Sequence, residues 1–405
     1  MRKLLFIAVI ALFACTDSAD KPSKTEPHLH YGHWLFTFDL NGTSLHQPVI
    51  IDSTYSFTFI NDDERITTDP AVFSRDSIFV DIPVYHSYLV SHDTTSHTLT
   101  GAWHYPDRKP GYHISFTAKA VDANTIDLGE ITDTLRYAVT FSPKTEDAYP
   151  AVGQFYLHAN GASGTFLTET GDYRFLHGSQ QGDSLFLQCF DGSHVFHFAM
   201  HMTGDSLTGT FKSGVHWEEP FTGVLDPAAD LRDPYQITQL TSDDPLQITA
   251  TDLDGNKARF NNEWFKDSVT IVQIFGSWCP NCLDESRYYT ELHKRYSSKG
   301  LRILPIAYER TTNVNENKRR LTRYIEEIHL PFPVYVGGRA SKSEASNDFP
   351  MLNSISSFPT SLLVDKQGKI RAIHTGFNGP GTGAIYDAYR VKTEALIDSL
   401  LDENP

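Results

Sequence analysis

Cysteine is scarce, four in 405 residues, which excludes a small scaffold stapled by disulfides. Basic side chains are outnumbered, 34 Lys and Arg against 50 Asp and Glu, for a formal net charge of −16. That deficit excludes a nucleic-acid backbone as the main partner, because phosphate binding needs a basic face. Beyond Ala14 no apolar run approaches the ~20 residues that a membrane-spanning helix takes. Nucleotide, flavin and metal motifs are also absent, so no cofactor is expected. What remains is 40% hydrophobic and 21% charged, which suits a globular chain. At about 150 residues per domain, the length suits two or three domains.

The N-terminus reads as an address. Met1-Arg2-Lys3 is basic, and Leu4 to Ala14 is an unbroken run of 11 apolar residues. That is too short for a membrane span and suits the core of an export signal. The run ends Leu12-Phe13-Ala14-Cys15, and a polar tract follows from Thr16 to Pro27. This resembles a bacterial lipoprotein signal, in which the cysteine is lipidated and becomes the mature N-terminus. The resemblance implies removal of residues 1–14, a lipid on Cys15 and a tether over 15–30. It implies a place in the bacterial cell envelope, held to a membrane by that lipid and facing the periplasm or the cell surface. The alternatives are a secreted chain, or an anchored one with an unmodified Cys15.

Residues 31–225 read as short alternating strands, an antiparallel β-barrel or β-sandwich of roughly eight or more strands. Leu185, Leu187 and Cys189 share one face. Asp191-Gly192 marks a hairpin turn, and Phe196, Phe198, Met200 and Met202 share a face on the return. Gly182-Asp183-Ser184-Leu185 recurs as Gly204-Asp205-Ser206-Leu207, about one strand pair later. The pattern leaves one or two sheet systems open, with Pro143 to Pro150 as the expected weak point between them. Three Asp-Pro pairs, at Asp226, Asp233 and Asp244, mark a linker over 226–244. From 245 to 405 the texture alternates strand and helix. Val269 to Phe275 and Leu301 to Ala307 read as buried parallel strands, with helices after each and a terminal helix over Gly383 to Leu401.

Trp278-Cys279-Pro280-Asn281-Cys282 falls where a buried strand meets a helix. Cysteines three apart at a helix N-terminus face each other, and the free N–H groups and helix dipole there stabilise a thiolate. Cys279, at the start expected to be exposed, reads as the attacking thiol. Cys282, one turn inside, reads as the resolving thiol. The alternatives are half a zinc site, a static disulfide or an unreactive pair. Downstream stand Ser357-Phe358-Pro359-Thr360 and the Val364-Asp365-Lys366-Gln367-Gly368-Lys369-Ile370 hairpin.

Together these pieces resemble the thioredoxin fold, and in particular the TlpA/ResA-like thiol-disulfide oxidoreductases. The resemblance implies a cis bond at Pro359 beside the cysteines and places Trp278 at the site. It implies a glutamate at the offset of Glu285 that modulates the thiols. Glu285 also falls on a helical stripe with Tyr289, Leu292 and Tyr296, near Cys282, where an acid can relay a proton. A surface acid in the first turns of a helix is the alternative. Gln273 stands where thioredoxin carries a buried aspartate. The expected function is reduction of protein disulfides, with a thiol redox partner resetting the pair. A second expectation is a barrel that binds an apolar ligand, the thioredoxin-like domain being accessory. Peroxide reduction fits poorly, because Gly276, Ser277 and Trp278 replace the threonine it needs. His28, His30 and His33 read as a solvated strand start rather than a metal site, His197 and His201 as structural or barrel-lining, and Cys189 as core. Lys318, Arg319, Arg320 and Arg323 read as the wet face of a helix.

Overall fold

The computed structural model describes residues 29–403 except 75, 93–94, 124–126 and 245. The expected signal over 1–14, Cys15 and His28 lie outside the described residues. The architecture is multi-domain, two antiparallel β domains followed by an α/β domain.

The first domain is an open sheet of nine strands among the described residues. Its first strand, Gly32–Asp39, pairs antiparallel with Ser44–Ile51 on one side and with His113–Ala120 on the other. Alternation puts Trp34, Phe36 and Phe38 on the inner face, fully buried. That face is closed by the next domain. Phe190 inserts from it, stacking on Phe38 with ring centroids 5.3 Å apart and meeting Trp103 edge-on at 5.5 Å.

The second domain is a closed barrel. Tyr149–His158 pairs with Ile131–Phe141 on one side and with Ala162–Thr168 on the other, so no edge is left between first and last strands. A two-residue strand, Gly171–Asp172, hooks off Ala162–Thr168. The interior is filled. Phe141, Phe155, Phe166, Phe198, Phe211 and Phe221 are all buried, and Phe198 stacks on both Phe166 and Phe211 with centroids 4.6 and 4.5 Å apart. The repeated Gly-Asp pairs are hairpin turns one strand pair apart. Gly182 and Gly204 take left-handed φ of 60° and 56°, which glycine adopts without strain.

The weak point expected at Pro143 to Pro150 is corrected by the structure. Those residues join two paired strands of the barrel, and the change of sheet falls at residues 121–130. Turn residues mark a hairpin and a domain boundary alike, so composition alone does not separate the two. The linker is not a free spacer. Ala229 and Leu231 pack with Val152 and Leu167 of the barrel and Ile385 of the last domain, and Arg232 grips Glu169 through two 2.7 Å bonds.

The last domain is thioredoxin-like. Its central strand, Val269–Phe275, is buried on both faces, parallel to Leu301–Glu309 and antiparallel to Thr360–Val364. Five helices accompany the sheet among the described residues: α1 (Asn262–Phe265), α2 (Pro280–Tyr296), α3 (Val314–Glu327), α4 (Lys342–Asp348) and α5 (Ala384–Asp402). The basic run on α3 is a wet face only at Lys318 and Arg319, which are exposed; Arg320 and Arg323 are not. Arg320 pairs with Asp107 at 3.0 Å and is 8% exposed, and Arg323 pairs with Asp81 at 2.8 Å, so α3 docks on the first β domain. A solvated stripe and a docking stripe have the same local sequence. Only the acids on the facing domain separate them.

Candidate active site

The strand Val269–Phe275 ends at the loop Gly276-Ser277-Trp278, and α2 begins at once. Cys279 is the N-cap of α2, with extended backbone and its sulfur accepting the Cys282 N–H at 3.3 Å; Pro280 is the first helical residue. Both cysteines are free thiols. Cys282 is fully buried, and its pKa is pushed well above the ordinary thiol range by burial first, then by Cys279 and Glu285.

Cys279 was expected to be exposed, and the structure corrects this. It is only 7% exposed. Its sulfur lies 3.5 Å from the Phe358 carbonyl oxygen, and the Phe358–Pro359 peptide is cis. Trp278 flanks it, its indole N–H donating to the Tyr308 carbonyl at 2.9 Å and its ring meeting Phe358 edge-on. The barrel supplies further cover. Asn281, between the cysteines, donates from Nδ2 to the carbonyls of Asp172 and Phe377, both at 3.1 Å. Ser357 donates to the Thr170 carbonyl at 3.1 Å.

Glu285 is fully buried, not a surface acid. It accepts from Ser361 at 2.7 Å, Gln273 at 2.9 Å and Tyr289 at 2.9 Å. These donors favour the carboxylate, but burial outweighs them and lifts its pKa to about 7. Gln273 joins the two groups, its Nε2 also reaching the Cys282 carbonyl at 3.4 Å. The five residues picked out by sequence, Trp278, Cys279, Cys282, Glu285 and Pro359, thus stand together.

Three further groups were missed. Arg174, on the barrel, is 4% exposed and reaches the first β domain and α2 together. It pairs with Glu64, with Asp284 at 2.5 Å, and with the Pro280 carbonyl at 3.2 Å. Asp172 is buried, accepts the Gly379 N–H, and has its pKa raised to about 6 by that burial. Glu309 is buried below the loop, accepting from the Ser277 N–H at 2.9 Å and its hydroxyl at 2.8 Å. Nothing local in the sequence marks Arg174 or Asp172. Glu309 closes a strand that the sequence reading ended at Ala307.

The Redoxin family model matches residues 241–389. The last domain is a Redoxin domain. Its relatives include a thiol-disulfide oxidoreductase ResA of Geobacillus kaustophilus, 29% identical over 126 residues, which cover 31% of this chain and 64% of the relative. A ResA of Bacillus thuringiensis subsp. konkukian is 30% identical over 125 residues, 30% of this chain and 62% of the relative. The chain thus spans less than two thirds of these curated relatives, and the match lies within about a third of the chain. Among solved structures, a putative thiol:disulfide interchange protein DsbE from Chlorobium tepidum is 18% identical, covering 39% of this chain and 99% of that one, with a TM-score of 0.31. A secreted thiol-disulfide isomerase from Corynebacterium glutamicum is 17% identical, covering 44% and 96%, with a TM-score of 0.31.

Proposed function

We propose that this protein is a thiol-disulfide oxidoreductase that reduces protein disulfides through Cys279 and Cys282. The observation that carries the reading is the pair's position: Cys279 caps α2 inside the Redoxin domain, with Cys282 one turn behind it and Phe358-Pro359 alongside. The Cys279 thiolate attacks a client disulfide, and one client sulfur leaves as a thiolate. Cys282 then attacks the mixed disulfide, releasing the second client thiol and closing the Cys279–Cys282 disulfide. The client gains the two electrons that the pair loses, and an external dithiol resets the pair.

The direction is supported by the likeness to the ResA relatives. Glu285, with its pKa near 7, changes charge near the Cys282 thiol as the pair cycles, and its carboxylate form raises the pKa of that thiol. Trp278 and Pro359 shape the floor on which the client sulfur meets Cys279. The N-terminal sequence, read as an export signal followed by a lipidated Cys15, supports a cell-envelope location, where such clients occur. The filled interior of the barrel weighs against the ligand-carrier alternative.

The test is a trapping experiment. In the full chain, Cys282→Ser accumulates a mixed disulfide between Cys279 and a client, seen as a reducible mass increase. Cys279→Ser forms none. Trapping by Cys279→Ser, or none by Cys282→Ser, contradicts the assignment.

A further inference from the structure

A cleft of about 550 Å³ opens between the barrel and the Redoxin domain, within the range of about 300–1,000 Å³ typical of small-ligand sites. One wall carries Trp278, Cys279 and Phe358; the other carries Tyr149, Tyr173 and Phe196 of the barrel. We propose that this barrel wall recognises the client, and that the client is an unfolded, extended segment carrying an aromatic or aliphatic side chain beside its cysteine. The inference rests on the thiol-exchange reading above.

The three barrel aromatics are half-buried, so each shows part of its ring to the cleft. They are fixed from behind. Tyr173 meets Phe198 and Phe211 edge-on with centroids 5.2 and 5.0 Å apart, and Phe196 meets Phe211 at 5.4 Å. The hydroxyls of Tyr149 and Tyr173 lie 3.0 Å apart, and Tyr149 donates to Glu219 at 2.9 Å. Rigid aromatic anchors bind apolar side chains with little loss of conformational freedom.

The buried charges lining the cleft are matched before any client arrives, Asp172 by the Gly379 and Arg174 N–H groups, while Lys342 stands exposed at the rim. Glu169 is held by Arg232, Asp191 by His194, and Arg174 by Glu64 and Asp284. A charged client side chain would find no free buried partner among them and would still lose its hydration.

Access selects for an extended segment. Cys279 is 7% exposed, and the barrel turn at 168–172 covers one side of it, tied to Asn281 and Ser357. A disulfide on the surface of a rigid domain would have to bring that domain past the barrel. A single extended strand needs only about 5 Å of width in the plane of its neighbours.

The test uses the full chain, dithiothreitol as electron source, and two disulfide-linked peptide dimers that differ only in Phe or Ser beside the cysteine. The wild type is expected to favour the Phe peptide at least tenfold in kcat/KM, the preference residing mainly in KM. Phe196→Ser and Tyr149→Ser are each expected to bring the ratio down toward one, and Tyr149→Phe to keep it. The ratio is internal to each variant, so a loss of folded protein lowers both rates without imitating the result. A wild-type ratio near one, or a ratio that both serine variants preserve, overturns the proposal. So does a rigid protein with one surface disulfide that is reduced as fast as the Phe peptide. Exchange with neither peptide overturns instead the assignment of Cys279 and Cys282, and this inference with it.

Discussion

Asn281 Nδ2 donates to the Asp172 carbonyl oxygen at 3.1 Å, so a residue between the two cysteines is held by the neighbouring barrel. The contact is tight. A Cβ added to Gly171, whose φ is +139°, would fall 2.0 Å from Asn281 Nδ2 and 2.9 Å from the Phe377 carbonyl oxygen. At Gly171 the barrel turn and α2 therefore meet in close contact, at one side of the cleft beside the redox pair.

Gly171→Ala is expected to force the barrel turn away from α2, because both the collision and the left-handed backbone oppose it. Alkylation of Cys279 by iodoacetamide, read by peptide mass, should speed up several-fold over wild type. An unchanged rate would mean that the turn does not shield the thiol.

Arg174 compensates two buried carboxylates, Glu64 and Asp284, that come from different domains. Its removal leaves Glu64 without an ion pair and Asp284 with only the exposed Arg287 at 3.4 Å, at a cost of about 3–5 kcal/mol. Arg174→Ala should lower the denaturant midpoint of the full chain clearly. Arg323→Ala, which removes a more exposed pair with Asp81, should cost about 1 kcal/mol or less. Equal losses would contradict the distinction.

Glu285 gives the fold and the reaction a pH dependence of known sign. Its pKa is about 7 in the folded chain against 4.5 for the ordinary group. The folded state therefore holds the proton more tightly, and the associated stability is complete below about pH 4.5 and lost as pH rises through about 7. The loss is on the order of 3 kcal/mol. Glu285→Gln mimics the protonated form, so its thermal midpoint relative to wild type should rise between pH 5 and 8. The step in thiol-exchange rate near pH 7 should disappear in the same variant. Parallel stability profiles would mean that Glu285 ionises normally.

The Redoxin domain was legible because its strongest signals are local. An apolar run read as a buried strand, Cys279 to Cys282 sat at the following helix start, and the Glu285 stripe faced inward. The barrel turns at Gly182 and Gly204 were legible for the same reason, since a glycine with left-handed φ sits in a two-residue connection. Contacts between domains were not. Arg320 and Arg323 look like solvated residues until Asp107 and Asp81 are brought against them. The burial of Cys279 depends on Thr170 and Asp172, more than 100 residues away in the chain. Long-range pairing of this kind leaves no periodicity in the sequence.

The most direct test of the account is the reduction potential of the Cys279–Cys282 pair in the full chain. It is obtained by equilibration with dithiothreitol or glutathione and read by thiol-specific mass labelling. Buried Cys189 should stay outside the exchange. The account predicts a reductant, about −250 mV or lower. A value of about −150 mV or higher would contradict it and make the pair an oxidant or isomerase.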